Sequence, residues 1–490
     1  MKICLVAAFP PSKRQLNEYS WHIARELQRH DHVELTVLAD ELTDYEFCRD
    51  AKSDGSAPQS LRRETDSAEF NVIRCWKFGA VDTPVRLLST IRRLNPDVVW
   101  FNLVFSSFGT PENPFAAFAG LSAPALVRAA GYYTHITLHH IIEHVDFSAA
   151  GVRRERLYRL GTDFATRALL KAHSVSVLLS AYRRTLMKKY SAQNVLVGTH
   201  GTFTTICTPP DFIKRNNPER RILAFGHWGT YKRLETLMEA FPRVLKRVPN
   251  ARLIVAGGNH PAKAGYWESV RAAQPAHLPI EFRGYIPQRD VPEMFRTSSL
   301  LVMPYDSSTG SSGPAHQACE YGVPIVCADI PDFRCMAVDD DMAISFYRIG
   351  DAQDMADKLI AVLESEELQH QMSEHNYHAG IQMTMASVVR NYLRWFELHQ
   401  CKRALGGRRV FAGKRRWLRS WGTRLGKSPR AGWSLDADLL PQTADGVALA
   451  EHMEDEVAEM AAAETTEASP RRNSRAAHQA ADNDEFADAG

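Results

Sequence analysis

Gly313-Pro314-Ala315-His316-Gln317-Ala318-Cys319-Glu320-Tyr321-Gly322-Val323-Pro324-Ile325-Val326-Cys327-Ala328 is the stretch on which the fold turns. It reads as a Gly-Pro loop, one short helix carrying a lone carboxylate, a Gly stop and a buried strand. A loop of bare backbone N–H groups that feeds a helix N-terminus suits a phosphate. A carboxylate two turns further along suits a pair of sugar hydroxyls. Together they describe a nucleotide site at the end of a strand in an α/β sheet.

Working outward, apolar runs alternate with helical spacing through the whole chain before and after this stretch. Residues 3–8, 33–38, 72–76, 98–102, 133–138, 174–179 and 194–198 read as strands, with helices at 18–29, 85–94, 157–172 and 181–189. The run 125–130 continues the alternation. A Pro-rich polar linker at 203–219 interrupts it. A second series follows: strands at 221–225, 251–256, 281–282, 300–303 and 325–328, helices at 234–248, 291–297 and 352–364. Strands alternating with helices mean βαβ units and parallel sheets covered on both faces. The expected architecture is two Rossmann-like doubly wound domains, 1–203 and 204–385, facing a central cleft. A helix at 386–400, apolar through Val389, Tyr392, Trp395 and Phe396, is expected to pack back on the first domain. Residues 50–68 read as a surface insertion.

The bulk numbers agree with this division. At 490 residues the chain exceeds one ordinary core, and 44% hydrophobic with 24% charged residues is ordinary for a globular protein. The net charge of +2 conceals an asymmetry: residues 402–433 hold eleven Lys/Arg and no acid, and 434–490 hold fourteen Asp/Glu against three Arg. Eight scattered cysteines without a C-x-x-C pair favour reduced thiols in a cytoplasm over a zinc site or disulfide framework. The apolar run at the N-terminus is too short for a signal peptide, and none approaches a bilayer span.

The second domain opens with Phe225-Gly226-His227-Trp228-Gly229-Thr230-Tyr231-Lys232-Arg233. A strand ends, glycines follow and a cationic pair precedes the next helix. Lys232 and Arg233 suit a diphosphate as point charge and planar fork; the alternative is a surface loop with solvated charges.

In this order, the Gly-x₅-Lys unit, Leu253-Ile254-Val255-Ala256-Gly257-Gly258, Phe282-Arg283-Gly284-Tyr285-Ile286, Val302-Met303-Pro304-Tyr305 and the Glu320 stretch resemble the retaining glycosyltransferases of family four, of the GT-B fold. The resemblance spans about residues 1–400 and is densest over 221–330. It implies that Lys232 lies on the donor diphosphate and that Glu320 is the second glutamate of an E-x₇-E motif, holding the ribose hydroxyls. It further implies that Tyr285 and Ile286 meet the base, and that Gly313, Pro314 and Ala315 lie over the phosphates and transferred sugar. Two positions depart from the pattern. The first glutamate is Ser312, which leaves the donor sugar open, and an arginine five residues before the lysine is His227 beside Gly226, with Arg233 as its substitute.

In the first domain, His139 ends a strand in Thr-Leu-His, similar to the family's Thr-Val-His, whose histidine faces the donor sugar. The carboxyl end of a strand is where open α/β sheets bind ligands. His135 and His139 share a face of an extended chain, and His140 and His144 share one of a helix. Metal binding and hydrogen-bonded interior histidines are the competing readings. The first loop, Pro10–Tyr19, lacks the glycines that let backbone approach a phosphate. Asn17, Glu18 and Tyr19 are the acceptor-side candidates, and His200-Gly201 reads as a structural turn.

The chemistry implied is glycosyl transfer from a nucleotide diphosphate sugar to a saccharide or lipid-linked acceptor. Catalytic candidates are His139, Lys232 and Glu320; no cofactor and no metal are expected, since Lys232 and helix N-termini take the metal's place. Asp339-Asp340-Asp341 reads as a solvated loop. Trp417, Leu418, Trp421 and Leu425 form one stripe among Arg and Lys, which suits an anionic membrane surface at the inner face. A basic linker neutralised by the acidic tail is the alternative, and no nucleic-acid motif accompanies it. An epimerase or phosphorylase on the same architecture, or a non-catalytic binding module, are the competing functions.

Overall fold

The apolar runs form strands because both of their faces are covered. Every residue of Val98–Leu103 and of Tyr133–Leu138 is buried, the condition of a parallel sheet flanked by helices. The structure is a computed structural model describing residues 1–12, 14–42, 69–109, 113–144, 155–203, 209, 219–229, 231–260, 263–307 and 310–420, without the side chains of 155–158, 288 and 406–420. The 50–68 insertion, most of the linker, and residues 421–490, with the rest of the basic segment and the acidic tail, lie outside the described residues.

Seven strands form the first sheet: β1 (Lys2–Val6), β2 (Glu34–Asp40), β3 (Val72–Trp76), β4 (Val98–Leu103), β5 (Tyr133–Leu138), β6 (Ser174–Val177) and β7 (Val195–Val197). Their spatial order is β3-β2-β1-β4-β5-β6-β7. Six form the second: β8 (Arg221–Phe225), β9 (Arg252–Ala256), β10 (Ile280–Gly284), β11 (Leu300–Met303), β12 (Ile325–Ala328) and β13 (Ile344–Tyr347). Their order is β10-β9-β8-β11-β12-β13. All paired strands are parallel. In both sheets the order reverses once, between β1 and β4 and between β8 and β11. Helices cross to opposite faces there, and the loops after those strands part to leave a crevice.

The helices are amphipathic. Glu235–Arg247 buries Leu237, Met238, Ala240, Phe241 and Val244 and keeps its charges outside. The Met385–Ser420 helix begins against the first domain, where the Tyr392 hydroxyl donates to Ser176 Oγ at 2.9 Å. Its Phe396 lies edge-on to Trp100, centroids 5.5 Å apart.

Two features differ from the sequence expectations, while the run 125–130 continues the alternation as a helix, Ala123–Ala129. Strand β13 and the helices Pro331–Asp339 and Glu366–Gln382 continue the second domain where none was expected. The acidic run is not a solvated loop. Asp339 Oδ2 accepts the Ser180 backbone N–H at 2.6 Å, and buried Asp340 sits 3.2 Å from His316 Nε2. His135 is a hydrogen-bonded interior histidine, one of the readings its sequence allowed: its Nδ1 is 2.8 Å from Ser174 Oγ and its ring packs on Tyr392.

Candidate functional site

The residues with chemistry collect at the carboxyl edges of both sheets. In the second domain the loops after β8 and β11, which flank the strand reversal, are stitched together. Lys232 bridges to Tyr305, the Arg233 N–H donates to Pro304 O at 3.3 Å, and the Asp306 N–H donates to Tyr231 O at 2.9 Å. Lys232 is thereby presented on a short antiparallel pairing. Its ammonium lies 4.8 Å from the Tyr305 ring centroid, a favourable cation–π distance.

Burial pushes the Lys232 amine down to about 8. The His227 imidazole is lowered by burial first, then by Lys232 and His260; burial and then Lys232 lower His260. Mutual repulsion among three basic groups is the electrostatic condition of an anion site. No carboxylate forms an ion pair with Lys232 among the described residues. Arg233 is placed differently. It is half exposed and paired to Glu235 at 3.3 Å and Asp306 at 3.6 Å, so its charge is already compensated and it does not replace the cation missing at His227.

The loop after β11 ends at Ser312, which caps the Gly313–Glu320 helix by accepting the Ala315 N–H at 3.5 Å. Ser312 is therefore a helix N-cap. Gly322, at φ 58°, ends the helix as expected of a left-handed glycine stop. Along this helix Gly313, Pro314 and Gln317 are partly exposed, whereas Ala315, His316, Ala318, Cys319 and Glu320 are buried.

Glu320, expected at the ribose hydroxyls, belongs to that buried set. It is 2% exposed, at the turn whose backbone packs on Gly380: a Cβ there would come within 2.5 Å of the Cys319 carbonyl oxygen. The side chain facing outward with the phosphate loop is Gln317, three and four positions from Pro314 and Gly313. Tyr285 is 76% exposed and Ile286 half-buried. Burial raises the Tyr285 phenol, and the Glu18 carboxylate of the first domain adds to it.

On the first domain His139 stands just past β5, its Nε2 2.8 Å from Asn102 Oδ1 and its ring edge-on to Tyr19 at 4.7 Å. Burial pushes the imidazole down to about 3, so it is neutral and offers a polar contact, not a proton reservoir. The Gly310 backbone of the second domain lies against it. A Cβ at Gly310 would stand 2.8 Å from the His139 carbonyl oxygen.

The acceptor-side trio divides. Tyr19 is 5% exposed and its hydroxyl accepts the Gly201 N–H at 3.0 Å. Asn17 donates to the Ser12 carbonyl, and only Glu18 is exposed. The glycine-free first loop is held from below by buried Asp40, which accepts Ser12 Oγ–H at 2.6 Å and the Phe9 N–H at 3.2 Å. It is pinned rather than pliable.

Among the described residues no group of three or more His, Cys, Asp or Glu is arranged to hold a metal ion, and no helix is long and apolar enough to cross a membrane. An open groove of about 800 Å³ lies at the opposite, amino-terminal edge of the first sheet, between Met1, Asp97, Tyr133, His399 and Arg403. Ligands of open α/β sheets sit outside the carboxyl ends of the strands, so the crevice at Lys232 is the candidate site.

Residues 210–379 match the family model of glycosyl transferases group 1. No curated protein sequence matches the chain. Among solved structures, Anabaena HepE in complex with UDP and glucose is 14% identical, covers 81% of this chain and 99% of its own, and superposes with a TM-score of 0.57. Sucrose-phosphate synthase of Thermosynechococcus elongatus is 13% identical, covers 82% of this chain and 100% of its own, with a TM-score of 0.60. A glycosyltransferase of Rickettsia africae is 13% identical over 81% of this chain and 97% of its own, with a TM-score of 0.56. At such identities the likeness is one of fold: the two parallel α/β domains form a GT-B fold.

Proposed function

We propose that this protein is a metal-independent hexosyltransferase, moving a sugar from a nucleotide diphosphate sugar to a saccharide or lipid-linked acceptor with retention of configuration. The observation that carries the reading is the basic cluster of Lys232, His227 and His260 at the strand reversal of the second sheet. It lies inside the segment that matches the group 1 glycosyl transferases. The HepE structures contain UDP, and one contains UDP-glucose, which supports a nucleotide-sugar donor here.

In transfer, negative charge grows on the departing diphosphate while the sugar becomes oxocarbenium-like. A preorganised ammonium in a water-poor site stabilises that charge more than bulk water does. Lys232 supplies it, helped by the backbone N–H of Gly313 at the start of that helix, since the Ser312 and Ala315 N–H groups are already bonded and Pro314 has none. His139 contacts the sugar from the first domain as a neutral group. Gln317 meets the ribose hydroxyls, and Glu320 supports the helix from behind. Ser312 caps that helix where the resemblance expects a carboxylate, so the sugar's hydroxyls are recognised by other groups.

Donor hydrolysis and nucleotide binding, screened over UDP-, GDP- and ADP-sugars with purified protein, test this. One donor is expected to be hydrolysed slowly without acceptor and to bind at micromolar levels. Gln317→Ala is expected to weaken that binding about tenfold, the worth of a hydrogen bond in a desolvated site. Glu320→Ala is expected to lower the melting temperature as well as activity, as loss of a buried group does. No binding to any donor overturns the reading.

The basic segment 402–433 is proposed to bring the enzyme to an anionic membrane surface, through Arg and Lys beside the Trp417 and Trp421 stripe. Flotation with phosphatidylserine vesicles is expected to carry the full chain and not a chain truncated after 401. Equal flotation of both ends that idea.

A further inference from the structure

Tyr305 is 2% exposed, and its hydroxyl meets no hydrogen-bond acceptor at bonding geometry among the described residues. A buried hydroxyl left without an acceptor is destabilising, and a phenylalanine there would avoid that cost. The hydroxyl opens on the space that Gly226 leaves bare. A Cβ built on Gly226 would stand 3.5 Å from the Tyr305 hydroxyl and 3.6 Å from Lys232 Nζ. One small group at that place touches both. The backbone pairing of Lys232 with Tyr305 holds the two side chains in this register.

The surroundings select the sign of the missing partner. Lys232, His227 and His260 repel one another there, and the acids of this corner, Glu235 and Asp306, are paired with Arg233. Burial raises the Tyr305 phenol well above its ordinary range, with a smaller opposing pull from Ser312. The group therefore stays protonated and can donate. A donor hydroxyl beside an ammonium, with the Ser312 side chain nearby but no acceptor at bonding geometry among the described residues, suits an oxyanion.

Resting on the proposed nucleotide-sugar reading, we propose that the Tyr305 hydroxyl donates a hydrogen bond to a diphosphate oxygen of the donor, in the gap beside Gly226 that it shares with Lys232. Tyrosine here supplies part of what the histidine at 227 withholds. The group is neutral, so it orders the diphosphate without adding to the repulsion among the bases.

Tyr305→Phe removes one oxygen and keeps the ring under Lys232. Calorimetric titration of wild type and variant with UDP, GDP and ADP, the corresponding nucleosides, and inorganic pyrophosphate reads the contact. The variant is expected to lose about tenfold in affinity for pyrophosphate and for the nucleoside diphosphate that wild type prefers. Its nucleoside affinity is expected to be unchanged and its melting temperature no lower. Wild-type binding to none of the nucleoside diphosphates overturns the proposed function. Pyrophosphate needs no base and still reads the contact; equal pyrophosphate affinity in both proteins overturns the role of Tyr305.

Discussion

Lys232→Met is expected to lower sugar transfer by about 10²–10³-fold, the loss seen when one preorganised charge-stabilising group is removed from a dry site. Methionine keeps the unbranched stem over Tyr305 and removes only the charge. The variant is also expected to be more heat-stable than wild type without ligand. Wild type holds an ammonium whose burial brings it down to about 8, a cost the thioether does not carry.

The pH dependence carries the same signature. Lys232 titrates below its ordinary value, so above about pH 8 the free site holds a neutral amine. A diphosphate then binds only with uptake of a proton. Nucleoside diphosphate affinity should therefore fall as pH rises through about 8, approaching tenfold per unit. The same depressed value means that folded-state stability rises with pH between about 8 and the ordinary lysine range, because there the unfolded chain binds more protons. Methionine should abolish both slopes. Wild-type turnover by Lys232→Met, or an unchanged pH profile of binding, would remove Lys232 from the site.

The second large effect is on the fold that presents this lysine. Gly257 follows β9 with φ 105°, and a Cβ there would lie 1.8 Å from the Gly226 carbonyl oxygen. Both partners are backbone, so no side chain can rotate away. Gly257→Ala is expected to cost roughly 2–5 kcal/mol, combining a left-handed alanine with overpacking. Strand β9 or the Gly226 loop must shift, so diphosphate binding should fall with stability. Gly258→Ala is the control: a Cβ at Gly258 meets nothing within 4 Å, and a near-wild-type melting temperature is expected. If Gly257→Ala melts like the control, the close crossing of the two loops is not what holds the site.

How much of this was legible in the chain differs residue by residue. The strands β1, β4, β5, β8, β9, β11 and β12 were legible because strands buried on both faces must be continuously apolar, and such runs stand out. Strand β13 was not. Ile344-Ser345-Phe346-Tyr347 is short, sits at an edge and is mostly half-buried, so its composition carries little pressure. Lys232 was legible because a cation after a glycine-rich strand end is a local pattern. The diversion of its neighbour was legible only in part: Glu235, 3.3 Å from Arg233, is two residues on, whereas Asp306, at 3.6 Å, lies far along the chain.

Glu320 and Gln317 make the same point within one helix. Residue type pointed to the carboxylate, but which face of eight residues turns outward was set by Gly380 packing behind the Cys319–Glu320 turn. The acidic run at 339–341 looked solvated because its partners, Ser180 and His316, are remote in sequence.

Apolar periodicity, glycine placement and charge along the chain determined by themselves that there are two doubly wound sheets and a glycine-rich loop carrying Lys232 after β8. Those are local properties, dictated by what a strand or turn must bury or bend. The tertiary structure alone decided that Tyr305 shares a gap with Lys232, that Arg233 does not and that Glu320 faces inward. Each of those depends on a distance between segments that only the packing of the sheets brings together.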